Sequence, residues 1–89
     1  MEEKSMADSQ PKIIMYGTTW CYDSRRARAF FDQNNIAYQW IDIDQDPDGR
    51  SYVESVNNGC RSVPTIVFPD GSILVEPSTI ELSRKLGLS

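Results

Sequence analysis

The chain has 89 residues, enough for one domain with a modest core. Nine basic against 13 acidic side chains leave a net charge of −4, which speaks against a general nucleic-acid role, with Arg25, Arg26 and Arg28 as a local exception. No apolar run approaches the ~20 residues of a membrane span, and the N-terminus lacks the basic-then-apolar order of a secretory signal. A cytoplasmic, monomeric protein without membrane or nucleic-acid partners is therefore expected; two cysteines and no histidine also argue against a zinc site within the chain.

Residues 1–11 are polar and without periodicity and read as a flexible N-terminal tail, which leaves 12–89 as the domain. Lys12 to Gly17 is a short apolar run that predicts a buried strand. Cys21 to Asn35 carries Ala27, Phe30 and Phe31 at helical spacing and closes on Asn34-Asn35. Tyr38 to Ile43 alternates and is rich in aromatic and β-branched residues, a second strand. Asp46 is a candidate N-cap with Pro47 at the first helical position, so a helix is expected over Pro47–Val56, with Tyr52, Val53 and Val56 on one face. Thr65–Phe68 and Ile73–Val75 read as strands joined by a hairpin turn at Pro69-Asp70-Gly71-Ser72. Ser78, with Glu81 three residues on, has the pattern of a capping box opening a last helix that Gly87 ends.

The order β-α-β-α-β-β-α predicts an α/β fold. The first two strands, joined through a helix, call for a parallel crossover, and the last two for an antiparallel hairpin. A four-stranded mixed sheet with helices on both faces is the thioredoxin-like arrangement. Cys21 falls where the first strand gives way to the first helix. A thiol there meets unpaired backbone N–H groups and the positive end of the helix dipole. Both favour the thiolate, the form that attacks sulfur.

The motifs Thr18-Thr19-Trp20-Cys21, Val56-Asn57-Asn58-Gly59 before Arg61-Ser62-Val63-Pro64-Thr65, Phe68-Pro69-Asp70-Gly71-Ser72, and Pro77-Ser78 occur in an order and spacing that resemble the glutaredoxins, and most of all the short mycoredoxins. The resemblance covers nearly everything from Lys12 to Leu88. It implies thiol–disulfide exchange with a low-molecular-weight thiol as co-substrate, mycothiol first and glutathione next, and protein mixed disulfides as targets. No tightly bound cofactor is implied. The sequence departs from the Cys-x-x-Cys of dithiol members, because Ser24 follows Cys21-Tyr22-Asp23. It lacks the CGFS motif of iron–sulfur monothiol members, and the bulky acidic Tyr22-Asp23 argues against such a cluster. The glycine-rich clamp near the last helix is replaced by Val75-Glu76-Pro77-Ser78, and a lysine three residues before the cysteine by Thr18.

Cys21 is thus the candidate nucleophile. Ser24 takes the place of the resolving thiol; its hydroxyl either donates to the Cys21 thiolate or bonds local backbone. The carboxylate of Asp23 disfavours a neighbouring thiolate, and Arg25 and Arg28 are expected to oppose it from the same helical face. The resemblance implies a cis peptide at Pro64, presenting the N–H and C=O of Val63 beside Cys21 so that an extended thiol can pair with them as an added strand, with Thr65 abutting the groove. Trp20 and Tyr22 are candidate groove walls. Arg61, Ser78 and Thr79 are candidates for holding the polar end of the small thiol, the last two at a helix N-terminus; plain capping is the alternative for Ser78. Cys60, four residues before Pro64, is either a substitute resolving thiol or a bystander. Two other readings compete with the oxidoreductase: an iron–sulfur carrier and a redox-silent binding module.

Overall fold

In chain order the elements are β1 (Ile14–Gly17), α1 (Tyr22–Gln33), β2 (Gln39–Asp42), α2 (Pro47–Val56), β3 (Thr65–Val67), β4 (Ile73–Val75) and α3 (Thr79–Leu86). The computed structural model describes residues 12–88; the tail expected over 1–11 and the last residue of the domain expected over 12–89 lie outside them. The strands assemble in the order β2-β1-β3-β4. β1 runs parallel to β2, because a helix joins them, and antiparallel to β3, which pairs antiparallel with β4. The β3–β4 turn is closed by the Phe68 N–H donating to Ser72 O at 2.9 Å. Asp70 Oδ1 accepts from the Ser72 N–H at 2.9 Å, and Gly71 takes a φ of +89° that only glycine adopts freely.

Alternation along the strands sorts their residues onto two faces. Across the sheet, Trp40, Met15, Ile66 and Leu74 stand in one row. Met15 and Ile66 from that row form the main core with Ala27 and Phe31 of α1, Leu82 of α3 and Phe68, with Trp40 and Leu74 packed against it. The neighbouring row, Ile41, Tyr16, Thr65 and Val75, faces the other way. There α2 lies on the sheet, with Tyr52 stacked on Tyr16 at a ring separation of 4.9 Å. Gly49 allows this approach: a Cβ there would sit 2.8 Å from Ile41 Cγ2. Of the apolar face expected on α2, Val53 is fully buried but Val56 is 38% exposed, because it is the last helical residue before the chain turns at Asn57-Asn58-Gly59.

Two helix starts follow their sequence signals. Asp46 Oδ1 accepts from the Gly49 N–H at 3.1 Å with Pro47 leading the helix, and Ser78 and Glu81 form the reciprocal capping box. The third start differs. Helix α1 has Cys21 at its N-cap and no side-chain hydrogen bond there. Its first N–H groups have no intrahelical acceptor, and this end of the helix points at the loop before β3.

Candidate active site

Cys21 is held by packing beneath it. Ser24, fully buried in the first turn of α1, accepts from the Thr18 N–H at 3.4 Å and so ties the helix to the loop leaving β1. Gly17 makes this close approach possible: a Cβ there would lie 2.7 Å from Ser24 Oγ and 2.9 Å from the Trp40 ring. Of the two expectations for Ser24, the structure shows the bond to backbone, and the hydroxyl hydrogen remains available. Cys21 itself has extended backbone (φ −79°, ψ 126°), and its thiol is free and half-buried. A thiolate at that position is an acceptor for the open N–H groups of the first turn.

The second wall comes from the loop before β3. The Val63–Pro64 peptide is cis. Val63 O lies 3.9 Å from Cys21 Sγ and accepts from it. The loop is anchored at its base: Thr65 Oγ1 donates to Ser62 O at 2.7 Å and accepts from Asn57 Nδ2 at 3.1 Å, while Asn57 also donates to Val53 O. Its outer side is fixed just past β4, where the Glu76 N–H donates to Pro64 O at 2.8 Å. Val63, Pro64 and Thr65 are therefore brought to Cys21, or into the ledge that faces it.

Trp20 and Tyr22 flank the thiol and stand 70% and 68% exposed, so they line a surface rather than cover core. The Trp20 indole N–H donates to Asp44 Oδ2 at 2.8 Å. The Arg26 guanidinium lies 5.6 Å from the Tyr22 ring centroid, pairs with Asp23 at 3.2 Å, and donates to Pro77 O at 3.4 Å. The cation opposing Asp23 is thus Arg26 rather than Arg25 or Arg28. The i,i+3 spacing brings it alongside, whereas Arg28 lies 4.1 Å over the Trp40 ring and donates to the Tyr38 hydroxyl.

The candidates for the polar end of a small thiol are more dispersed. Arg61 is exposed and bonded to Glu54 at 2.7 Å. Ser78 has its hydroxyl on the Glu81 N–H and its own N–H on Glu81 Oε1, which spends both groups on capping. Thr79 is exposed in the first turn of α3. Cys60 is an exposed free thiol in the turn after α2, its N–H donating to Asn57 O at 3.0 Å.

The glutaredoxin family model matches residues 13–73, which span the strand, the cysteine turn and the cis-proline ledge. The chain belongs to the glutaredoxin family. Among its relatives, a Mycobacterium tuberculosis protein assigned as a glutaredoxin is 40% identical over 74 residues, covering 83% of this chain and 88% of that one. Mycoredoxin 1 of Corynebacterium glutamicum is 35% identical over 74 residues, covering 83% and 91%. A crystallised variant of a thioredoxin-like protein superposes with a TM-score of 0.77 at 26% identity, over 88% of this chain and 97% of that one. The glutaredoxin-like, thioredoxin-fold assignment made from motif order and the arrangement of strands and helices agree.

Within this glutaredoxin frame several residues near the thiol carry no sequence signal of their own. Asp44 meets Trp20 across 24 residues, and Arg26 meets Pro77 across 51, so neither pairing follows a local spacing rule. Thr18 is buried, with an Oγ1 that finds no partner among the described residues. Glu76 holds a φ of +50°, a conformation unusual for a side chain of its type.

Proposed function

We propose that this glutaredoxin is a monothiol thiol–disulfide oxidoreductase that removes a low-molecular-weight thiol, mycothiol or else glutathione, from protein mixed disulfides. One observation carries the reading: Cys21 Sγ, partly exposed at an uncapped helix N-terminus, lies 3.9 Å from the Val63 carbonyl of the cis-proline ledge. The Cys21 thiolate attacks the small-thiol sulfur of the mixed disulfide. That S–S bond breaks, the target protein leaves as a thiolate that takes a proton from solvent, and Cys21 now carries the small thiol. A second small-thiol molecule, as thiolate, attacks the same small-thiol sulfur. Cys21 leaves as thiolate toward the open N–H groups of α1, and the small thiol departs as its disulfide. Ser24 supplies no sulfur, so an internal Cys21–residue 24 disulfide is closed as a route.

Pairing of the substrate backbone with Val63 holds the disulfide in line, and Trp20 and Tyr22 cover it on the outer side. Turnover of a model mixed disulfide with mycothiol and with glutathione, side by side, tests the proposal. Cys21→Ser is expected to abolish turnover and Cys60→Ser to keep most of it. Turnover retained by Cys21→Ser would move the reactive sulfur elsewhere.

A further inference from the structure

Among the described residues, three other than glycine have positive φ: Asn35, Asn58 and Glu76. Asparagine tolerates that region, because its short side chain bonds local backbone; glutamate has no such compensation. Such outliers persist where the surroundings over-determine them, and they gather at functional sites. The surroundings of Glu76 do so on both sides. Its N–H is held by Pro64 O at 2.8 Å, and the carbonyl of the next residue, Pro77, is held by Arg26 Nη2 at 3.4 Å. Glu76 is therefore pinned between the ledge that faces Cys21 and the first turns of the helix that carries it.

Two other carboxylates in this part of the molecule have cation partners. Asp23 is neutralised by Arg26 and Glu54 by Arg61. Asp44 accepts the uncharged Trp20 indole N–H and makes no ion pair with a described residue. Arg25 is exposed on the outer stripe of α1 shared with Arg28, Ala29 and Asp32. Glu76 is exposed and makes no ion pair with any described residue. Glu76 thus adds a carboxylate, carried on backbone that the ledge holds and without an ion-pair partner among the described residues, to the negative field that an incoming thiol meets.

We propose that Glu76 is a specificity-determining residue that disfavours anionic small thiols, so that the site favours mixed disulfides whose small thiol is neutral or cationic. The inference rests on the oxidoreductase reading above and adds the charge class of its substrate. The repulsion acts across solvent and is worth a few-fold in rate, attenuated by salt.

The test uses three mixed disulfides of one peptide, carrying cysteamine (an ammonium), 2-mercaptoethanol (neutral) or glutathione (two carboxylates and one ammonium), each turned over with its own free thiol. The readout is kcat/KM for the glutathione and cysteamine substrates, each normalised to 2-mercaptoethanol in the same protein, which removes the intrinsic reactivity of each thiol when variants are compared. At low salt the glutathione-to-cysteamine ratio is expected to rise about threefold in Glu76→Gln and further in Glu76→Lys, and raising the salt should lift the wild-type ratio toward that of Glu76→Gln. A ratio unchanged across the three proteins, with turnover intact, overturns the role of Glu76 and leaves the oxidoreductase reading standing. No turnover of any substrate by the wild-type chain overturns that reading and this inference with it.

Discussion

Gly17 shows how much one residue decides here. It ends β1 at the point where the strand, Ser24 of α1 and the Trp40 ring crowd together, and a methyl group would lie 2.7 Å from Ser24 Oγ. Ser24 is fully buried and Trp40 is packed between the core and Arg28, so neither has room to yield. Gly17→Ala is expected to destabilise the fold by about 1–3 kcal/mol through overpacking, measured by urea unfolding, and to displace the turn that carries Cys21. Ser24→Ala acts on the other partner: it leaves the buried Thr18 N–H without an acceptor, at a cost of about 1–3 kcal/mol. An unchanged urea midpoint in Ser24→Ala would show that the Thr18–Ser24 bond is not part of what holds this turn.

Among the elements, α2 and α3 show local signals turned into stability. Ser78→Ala removes one half of the capping box and is expected to cost about 1 kcal/mol, seen as a lowered urea midpoint. On the α2 face, the Tyr16 hydroxyl has its pKa raised, first by burial and then by the neighbouring Tyr52 and Asp46. A raised folded-state pKa means that above pH 10 the unfolded chain loses its Tyr16 proton while the folded one keeps it. Its contribution is therefore intact below pH 10 and lost as pH rises beyond it. Thermal midpoints taken from pH 8 to 11.5 should fall less steeply for Tyr16→Phe than for the wild-type chain; parallel curves would place the alkaline sensitivity on other groups.

For the molecule as a whole, the small core makes site and fold inseparable. Phe31 is fully buried and joins α1 to Met15, Ile66 and Leu82. Phe31→Ala should cost about 3–5 kcal/mol, a large share of the 5–15 kcal/mol typical of a small domain. Loss of cooperative unfolding or a much lower midpoint is the expected result. Because α1 carries the reactive thiol at its N-terminus, activity should fall along with the folded fraction rather than independently of it.

Sequence alone determined the element order, the α2 and α3 caps, the β3–β4 turn and the placing of Cys21 at a helix start. Each of these is a short-range matter of periodicity, φ preference or a side chain bonding backbone three residues away, so a local reading of residues such as Asp46, Gly71 or Ser78 suffices. The Asp23 ion pair was legible locally too: on a helix Asp23 meets Arg26 three residues on, whereas Arg25 two residues on and Arg28 five residues on project from other faces. Tertiary structure alone decided that Val63 O stands 3.9 Å from Cys21 Sγ, that Asp44 holds Trp20, and that Arg26 and Pro64 between them pin Glu76. Those contacts join residues 12 to 51 positions apart, and their geometry depends on how the helices close on the two faces of the sheet.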